Sequence, residues 1–193
     1  MTPTASITPD PRRPLVLDTR PLGRRPGSMW QESWTAPAPD GLGRDLVRIP
    51  TGSDLELDIR LEAALDGVLV TASVSAPTTG ECARCLEELR EVLEVGFTEL
   101  YSYPEQTERF ARTSGGRTED DGDVRHLDGD LLDLEQPLRD AVVLALPASP
   151  LCGPDCGGLC TICGAKLDDV GDDHTHDEHD PRWASLRGLM QED

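Results

Sequence analysis

The stretch SDLELDIRLEAALDGVLVTASVSA, residues 53–76, decides the fold. Leu55, Leu57, Ile59, Leu61, Ala63 and Leu65 alternate with mostly charged residues, the period-two pattern of a strand with one buried face. Asp66-Gly67 follows, the dipeptide favoured in a two-residue type I′ hairpin turn. Beyond it Val68, Val70, Ala72, Val74 and Ala76 alternate in the same way. Pairing Leu65 with Val68 sets Ala63 opposite Val70, Leu61 opposite Ala72 and Ile59 opposite Val74. Each of these apolar residues then falls on one face of a β-hairpin.

Downstream, LREVLEVGFTELYSY (89–103) reads as a third strand, with Leu93, Val95 and Phe97 facing one way and Arg90 and Glu94 the other. Residues 104–130 are polar, Gly-bearing and unpatterned, which predicts a flexible acidic loop. From Pro137 to Leu146 the period changes: Leu138, Ala141, Val142, Ala145 and Leu146 fit an amphipathic helix closed by Pro147. The VVLALP end is apolar all round and would also suit a buried strand. In HDPRWASLRGLM (179–190), Asp180 is an N-cap candidate and Pro181 suits the first helical position. Trp183, Leu186 and Met190 then share one side of a short docking helix.

Upstream, the first fifty residues hold nine of the sixteen prolines and predict an extended arm, anchored by Trp30 and Trp34. The expected class is α+β: an antiparallel hairpin or meander sheet, one or two packed helices and a C-terminal Cys-rich zinc-binding segment. The expected organisation is a Pro/Arg-rich, largely extended arm over residues 1–44 and a single α+β domain over 45–193. That domain contains the loop 104–130 and the Cys-rich segment 151–167.

The chain carries 18 Lys plus Arg against 37 Asp plus Glu, a formal charge of −19. Such a body repels a polyanion, since nucleic-acid binding draws on clustered cations, and suits a basic partner through complementary steering. Residues 1–50 reverse the balance with seven arginines against five acids. Arg12, Arg13, Arg24 and Arg25 are therefore candidate partner contacts for an RNA or a protein, and Arg84 is a fifth. No run approaches the roughly 18 apolar residues of a membrane span, and the first residues lack a signal-peptide core. The expected location is the cytoplasm, with no membrane partner and no small-molecule substrate. There thiols stay reduced and structural disulfides are uncommon.

Six cysteines carry the chemistry: Cys82 and Cys85 in ECARCLEEL, and Cys152, Cys156, Cys160 and Cys163 in LCGPDCGGLCTICG. The CxxxCxxC run at Cys156 matches radical-enzyme iron–sulfur spacing, but only thirty residues follow it and no βαβ pattern is present. A thiol-redox couple at Cys82 and Cys85 would make the chain a redox enzyme or a redox-sensing chaperone. It needs a low-pKa exposed thiolate, which Arg84 favours and Glu81, Glu87 and Glu88 oppose. Zinc fits best, because paired thiolates on tight Gly-bearing turns converge on a tetrahedral ion. One ion could take Cys152, Cys156, Cys160 and Cys163. Alternatively two ions divide the ligands: Cys82 and Cys85 with Cys152 and Cys156, and Cys160 and Cys163 with His174 and His176. A site closed by four protein ligands leaves no coordination position for catalysis. No GxSxG, P-loop or GxGxxG motif occurs, and the chain reads as a non-enzyme.

ECARCLEEL after DGVLVTASV, then DLLDLEQPLRDAVVLALP, LCGPDCGGLCTICG and DPRWASL, resemble the YceD family, the large ribosomal RNA subunit accumulation proteins. LGRRPGSM and the late HTH are similar to the form found in high-GC Gram-positive bacteria. The resemblance runs from about Leu15 to Leu189. It implies a cytoplasmic, non-catalytic factor needed for accumulation of large-subunit rRNA, with pre-ribosomal RNA or a basic large-subunit ribosomal protein as partner. By position, Cys82, Arg84 and Cys85 match the family's CxRC, and the four later cysteines match its C-terminal cluster. Many relatives carry CxC where this chain has His174-Thr175-His176, an exchange that suits a metal ligand.

Overall fold

The computed structural model describes residues 13–103, 125–171 and 173–176. The elements run β1 (Val16–Asp18), β2 (Met29–Pro37), β3 (Val47–Arg48), β4 (Asp54–Ala63), β5 (Gly67–Glu81), β6 (Glu88–Ser102), β7 (Arg125–His126), β8 (Leu131–Asp133) and α1 (Glu135–Ala145). The main sheet is ordered β2-β4-β5-β6-β7, with β3 pairing the far end of β5. It is antiparallel except for the short β6–β7 pair. β1 and β8 form a separate two-stranded ribbon. The mixed α+β class expected from the alternation and the single helical period is the class observed.

Alternation fixes the buried face. Leu55, Leu57, Ile59, Leu61 and Ala63 of β4 and Val68, Val70, Ala72, Val74 and Ala76 of β5 are all buried. They pack with Leu132, Leu134, Leu138 and Val142 from β8 and α1 in one core, and Leu15, Leu17 and Leu22 join them. Trp30 and Trp34 stand opposite Leu61 and Leu57 and pack against the same cluster.

The hairpin register differs from the expected one by two residues. Ala63 pairs with Val68, Leu61 with Val70, Ile59 with Ala72 and Leu57 with Val74. The N–H of Ala64 donates to the Gly67 carbonyl at 2.8 Å, so Leu65 and Asp66 make the bend and Leu65 is 78% exposed. Gly67 belongs to β5 instead of the turn. It pairs with Ser102, and a Cβ there would meet the Tyr101 carbonyl oxygen at 2.1 Å. The glycine answers a close backbone approach, and the two-residue slip keeps every apolar side chain on its face.

Parts of the stretch expected as an arm are strands of the body: β1 pairs β8, and β2 pairs nine residues of β4. Of the stretch 104–130 expected as a flexible loop, residues 104–124 lie outside the described residues, and 125–130 are ordered as β7 and a turn. Leu127 is buried there and Arg125 pairs with Asp140 at 2.7 Å. The helix begins at Glu135, two residues before Pro137, where Asp133 Oδ1 accepts the Glu135 N–H at 2.8 Å. VVLA is helical, and Leu144 on its outer side is 82% exposed. The docking helix expected over 180–190 lies outside the described residues. Among the described residues no helix is long and apolar enough to cross a membrane.

Candidate metal centres

The β5–β6 connection, residues 82–87, is a knuckle. The Cys82 N–H donates to the Glu87 carbonyl at 2.8 Å, and the Leu86 N–H returns to the Cys82 carbonyl at 3.0 Å. This forces Leu86 to φ +60°. After α1 the chain comes back against this turn, where the Ala83 N–H donates to the Pro150 carbonyl at 2.8 Å. Arg84 Nη1 donates to the Cys156 carbonyl at 2.9 Å. Gly158, at φ +81°, lies against the Arg84 backbone, where an added Cβ would come within 3.3 Å.

These contacts bring together Cys82, Cys85, Cys152 and Cys156, whose sulfurs all lie within 4.8 Å of one another. The Cys82 and Cys156 sulfurs are 3.8 Å apart, and those of Cys85 and Cys152 are 3.5 Å apart. A tetrahedral metal–thiolate bond of about 2.3 Å implies S···S edges of about 3.8 Å, and the cluster matches that spacing. Cys82, Cys85 and Cys156 are buried, Cys152 is exposed, and all six cysteines of the chain are free thiols.

A second knuckle repeats the first. The Cys160 N–H donates to the Ala165 carbonyl and the Gly164 N–H to the Cys160 carbonyl, both at 2.8 Å. Gly164 takes φ +72° where the first knuckle has Leu86. Cys160 and Cys163 converge with His174 and His176 within the same 4.8 Å limit. His174 Nε2 lies 3.5 Å from Cys163 Sγ and 2.9 Å from His176 Nε2. This centre is the more open, since Cys163 is exposed and the other three ligands are half-buried. Lys166, the chain's one lysine, joins the two regions by an ion pair with Glu87 at 3.2 Å.

The backbone prepares both centres for a cation. N–H groups of Cys85 and Arg84 aimed at the Cys82 sulfur lower its pKa to about 6. The N–H groups of Cys163 and Ile162 do the same for Cys160, also to about 6. Cys152 is pushed up to about 12, first by its hydrogen bond with the Cys85 thiol. Burial raises Cys156.

The structure therefore groups the ligands as two sets of four, each able to hold one metal ion. Two of the candidate contact arginines are exposed and also paired with carboxylates. Arg13 pairs with Asp133 and Glu135, and Arg24 pairs with Asp130 and lies over the Tyr103 ring. Arg25 is exposed, and Arg12 lies outside the described residues. Arg84 binds the Cys156 carbonyl. Sequence reasoning missed Leu86; the signal available was a leucine after the second cysteine of one CxxC and a glycine after the other.

Fold and clusters define a small antiparallel α+β protein carrying two four-ligand Cys/His centres. The chain belongs to the YceD family, whose model, described as "Large ribosomal RNA subunit accumulation protein YceD", matches residues 70–190. It is 44% identical over 178 residues to a protein of Mycobacterium tuberculosis and to one of Mycobacterium bovis, covering 92% of this chain and 82% of each relative. A Mycobacterium leprae protein is 39% identical over 180 residues, covering 93% of this chain and 79% of its own. All three relatives are described as uncharacterized proteins. No solved structure matches the chain.

Proposed function

We propose that this protein is a non-catalytic cytoplasmic factor in large ribosomal subunit biogenesis, needed for accumulation of large-subunit rRNA. The observation that carries the reading is the family match over residues 70–190. In this reading the two clusters hold zinc, the borderline-soft ion that thiolate and imidazole bind tetrahedrally without redox change. Four protein ligands close each site, so the ions serve the fold.

The direct partner is pre-ribosomal RNA or a basic large-subunit ribosomal protein, and the charge distribution favours the protein. Phosphates approaching Arg13 or Arg24 must compete with the carboxylates that already hold them. The remaining surface is acidic, which steers cationic partners inward.

Depletion from the host, followed by a sucrose gradient and precursor-rRNA analysis, tests the role. The expected result is a selective loss of large subunits with accumulating precursor, and a normal profile refutes it. Combined substitution of Arg12, Arg13, Arg24 and Arg25 separates the partners. RNA binding would weaken and its salt slope shrink, whereas protein binding through acidic faces would not.

A second reading, a thiol-redox enzyme or redox-sensing chaperone using Cys82 and Cys85, draws on the lowered Cys82 pKa. It requires one thiol that alkylates much faster than the rest in the metal-loaded protein. The burial of both sulfurs among two further thiols argues for ligation instead.

A further inference from the structure

Beside the first knuckle lies a groove of about 430 Å³, lined by Asp45, Leu46, Arg48, Glu81, Leu86 and Glu88 among others. It opens where the short strand β3 meets β5, at the end of the sheet remote from the Leu65–Asp66 bend. Two leucines face solvent at this groove: Leu86 is 59% exposed and Leu46 is also exposed. Asp45 and Glu81 present carboxylates beside them, Arg48 lies on the rim, and the third carboxylate, Glu88, is held by Arg90 at 2.8 Å.

Leu86 needs an explanation that the knuckle itself does not supply. It is the one non-glycine residue with positive φ among those described. The second knuckle makes the same turn, with the same two backbone hydrogen bonds, using Gly164. Metal geometry and turn closure therefore do not call for a side chain at this position, and the exposed side chain buries little within the monomer.

We propose that this groove is a docking surface for a cationic protein segment that presents an apolar side chain to Leu86 and Leu46 and basic side chains to the surrounding carboxylates. The inference rests on the ribosome-assembly reading for its biological partner and deepens it by naming the surface. The occupant is a protein segment by charge complementarity, since a nucleic-acid backbone would meet the carboxylates of Asp45 and Glu81 with like charge. The apolar contact supplies short-range affinity, and the carboxylates supply steering and register.

Leu86→Gly separates docking from folding, because it removes the side chain while relaxing the backbone. The probe is the RNA-free protein fraction stripped by salt from the host's own large ribosomal subunits, titrated against the full-length metal-loaded chain. Leu65→Ser, at the exposed bend at the other end of β5, is the control. The expected result is that L86G keeps both metal equivalents and an unchanged or higher Tm, yet binds the probe about tenfold more weakly or worse. L65S binds as the unsubstituted chain does. Asp45→Asn with Glu81→Gln should weaken binding and flatten its salt dependence.

Equal binding by L86G and the unsubstituted chain overturns the inference, as does equal weakening by L65S. Binding only to the subunits' RNA, or to neither fraction, overturns it too. A parallel complementation of the depleted host keeps the two claims apart. If the unsubstituted gene restores large subunits and L86G restores them equally, the docking surface fails alone. If depletion leaves the subunit profile normal, the assembly reading itself fails.

Discussion

The sulfurs of Cys85 and Cys152, 67 residues apart in the chain, lie 3.5 Å from each other. The first comes from the β5–β6 turn and the second from the segment after α1, so an ion held there ties the end of the sheet to the C-terminal segment. Cys152→Ser should lower the metal content from two ions per chain to one, by elemental analysis of the purified protein, and lower the Tm. Cys163→Ser should remove the other ion and leave the first cluster loaded. A variant that loses both ions, or neither, contradicts the grouping.

The thiol pKa values set how metal binding depends on pH. Around neutrality Cys82 is already a thiolate, whereas Cys152 and Cys156 carry protons that an ion must displace. Each displaced proton makes the apparent affinity rise about tenfold per pH unit. The first centre, releasing at least two, should therefore gain about a hundredfold per unit above pH 7. In the metal-free chain the shifts of Cys82 and Cys160 run opposite to those of Cys152 and Cys156, since their folded pKa values lie below the ordinary thiol value. Their contribution to stability is present at alkaline pH and is lost as pH falls through about 6. Competition titrations with a chelator across pH, and thermal melts of the apo chain, check both slopes.

The twin knuckles predict opposite responses to opposite exchanges. A non-glycine residue held in the left-handed region costs roughly 1–2 kcal/mol, part of which glycine gives back through its looser unfolded chain. Leu86→Gly should leave stability unchanged or raise it by up to about 1 kcal/mol. Gly164→Leu should lower it by about 1–2 kcal/mol. Denaturant melts of the metal-loaded proteins distinguish these outcomes, and a clear loss of stability in Leu86→Gly would contradict the strain argument.

Gly67 is a separate case. Its Cβ would meet the Tyr101 carbonyl oxygen at 2.1 Å, and neither backbone can yield without breaking the β5–β6 ladder. Gly67→Ala should cost about 1–3 kcal/mol, in the range of overpacked cores. Gly153→Ala, where nothing lies within 4 Å and φ is not left-handed, should be close to neutral.

Much of this was legible in the sequence where the signal is periodic and local. Alternation from Leu55 to Ala76 identified the strands and their buried face because the sheet is open on one side, and the helix period placed Leu138 and Val142 inward. The register was misread by two residues because Asp66-Gly67 is a turn signal by type, while here the glycine answers a contact with Tyr101, made by a strand still to come. β2 escaped notice because SMWQESWTAP has no clean alternation, and its strand character comes from nine pairings with β4. Spacing alone left one ion or two undecided. The division depends on the chain returning to the first knuckle through Ala83–Pro150 and Arg84–Cys156, contacts between residues about seventy apart that no local pattern records.

The same separation gives the first cluster a schedule. Cys82 and Cys85 are synthesised 74 and 67 residues ahead of Cys156 and Cys152, their nearest sulfur neighbours. At about 5–20 residues per second, those early thiols wait roughly 3 to 15 s for their counterparts. During that interval the hairpin can form while its cysteines remain an incomplete cage. The last ligands emerge only after the helix, so closure of the cage follows every strand of the sheet, and the supply of metal at that moment decides whether the end of the sheet is sealed or left open.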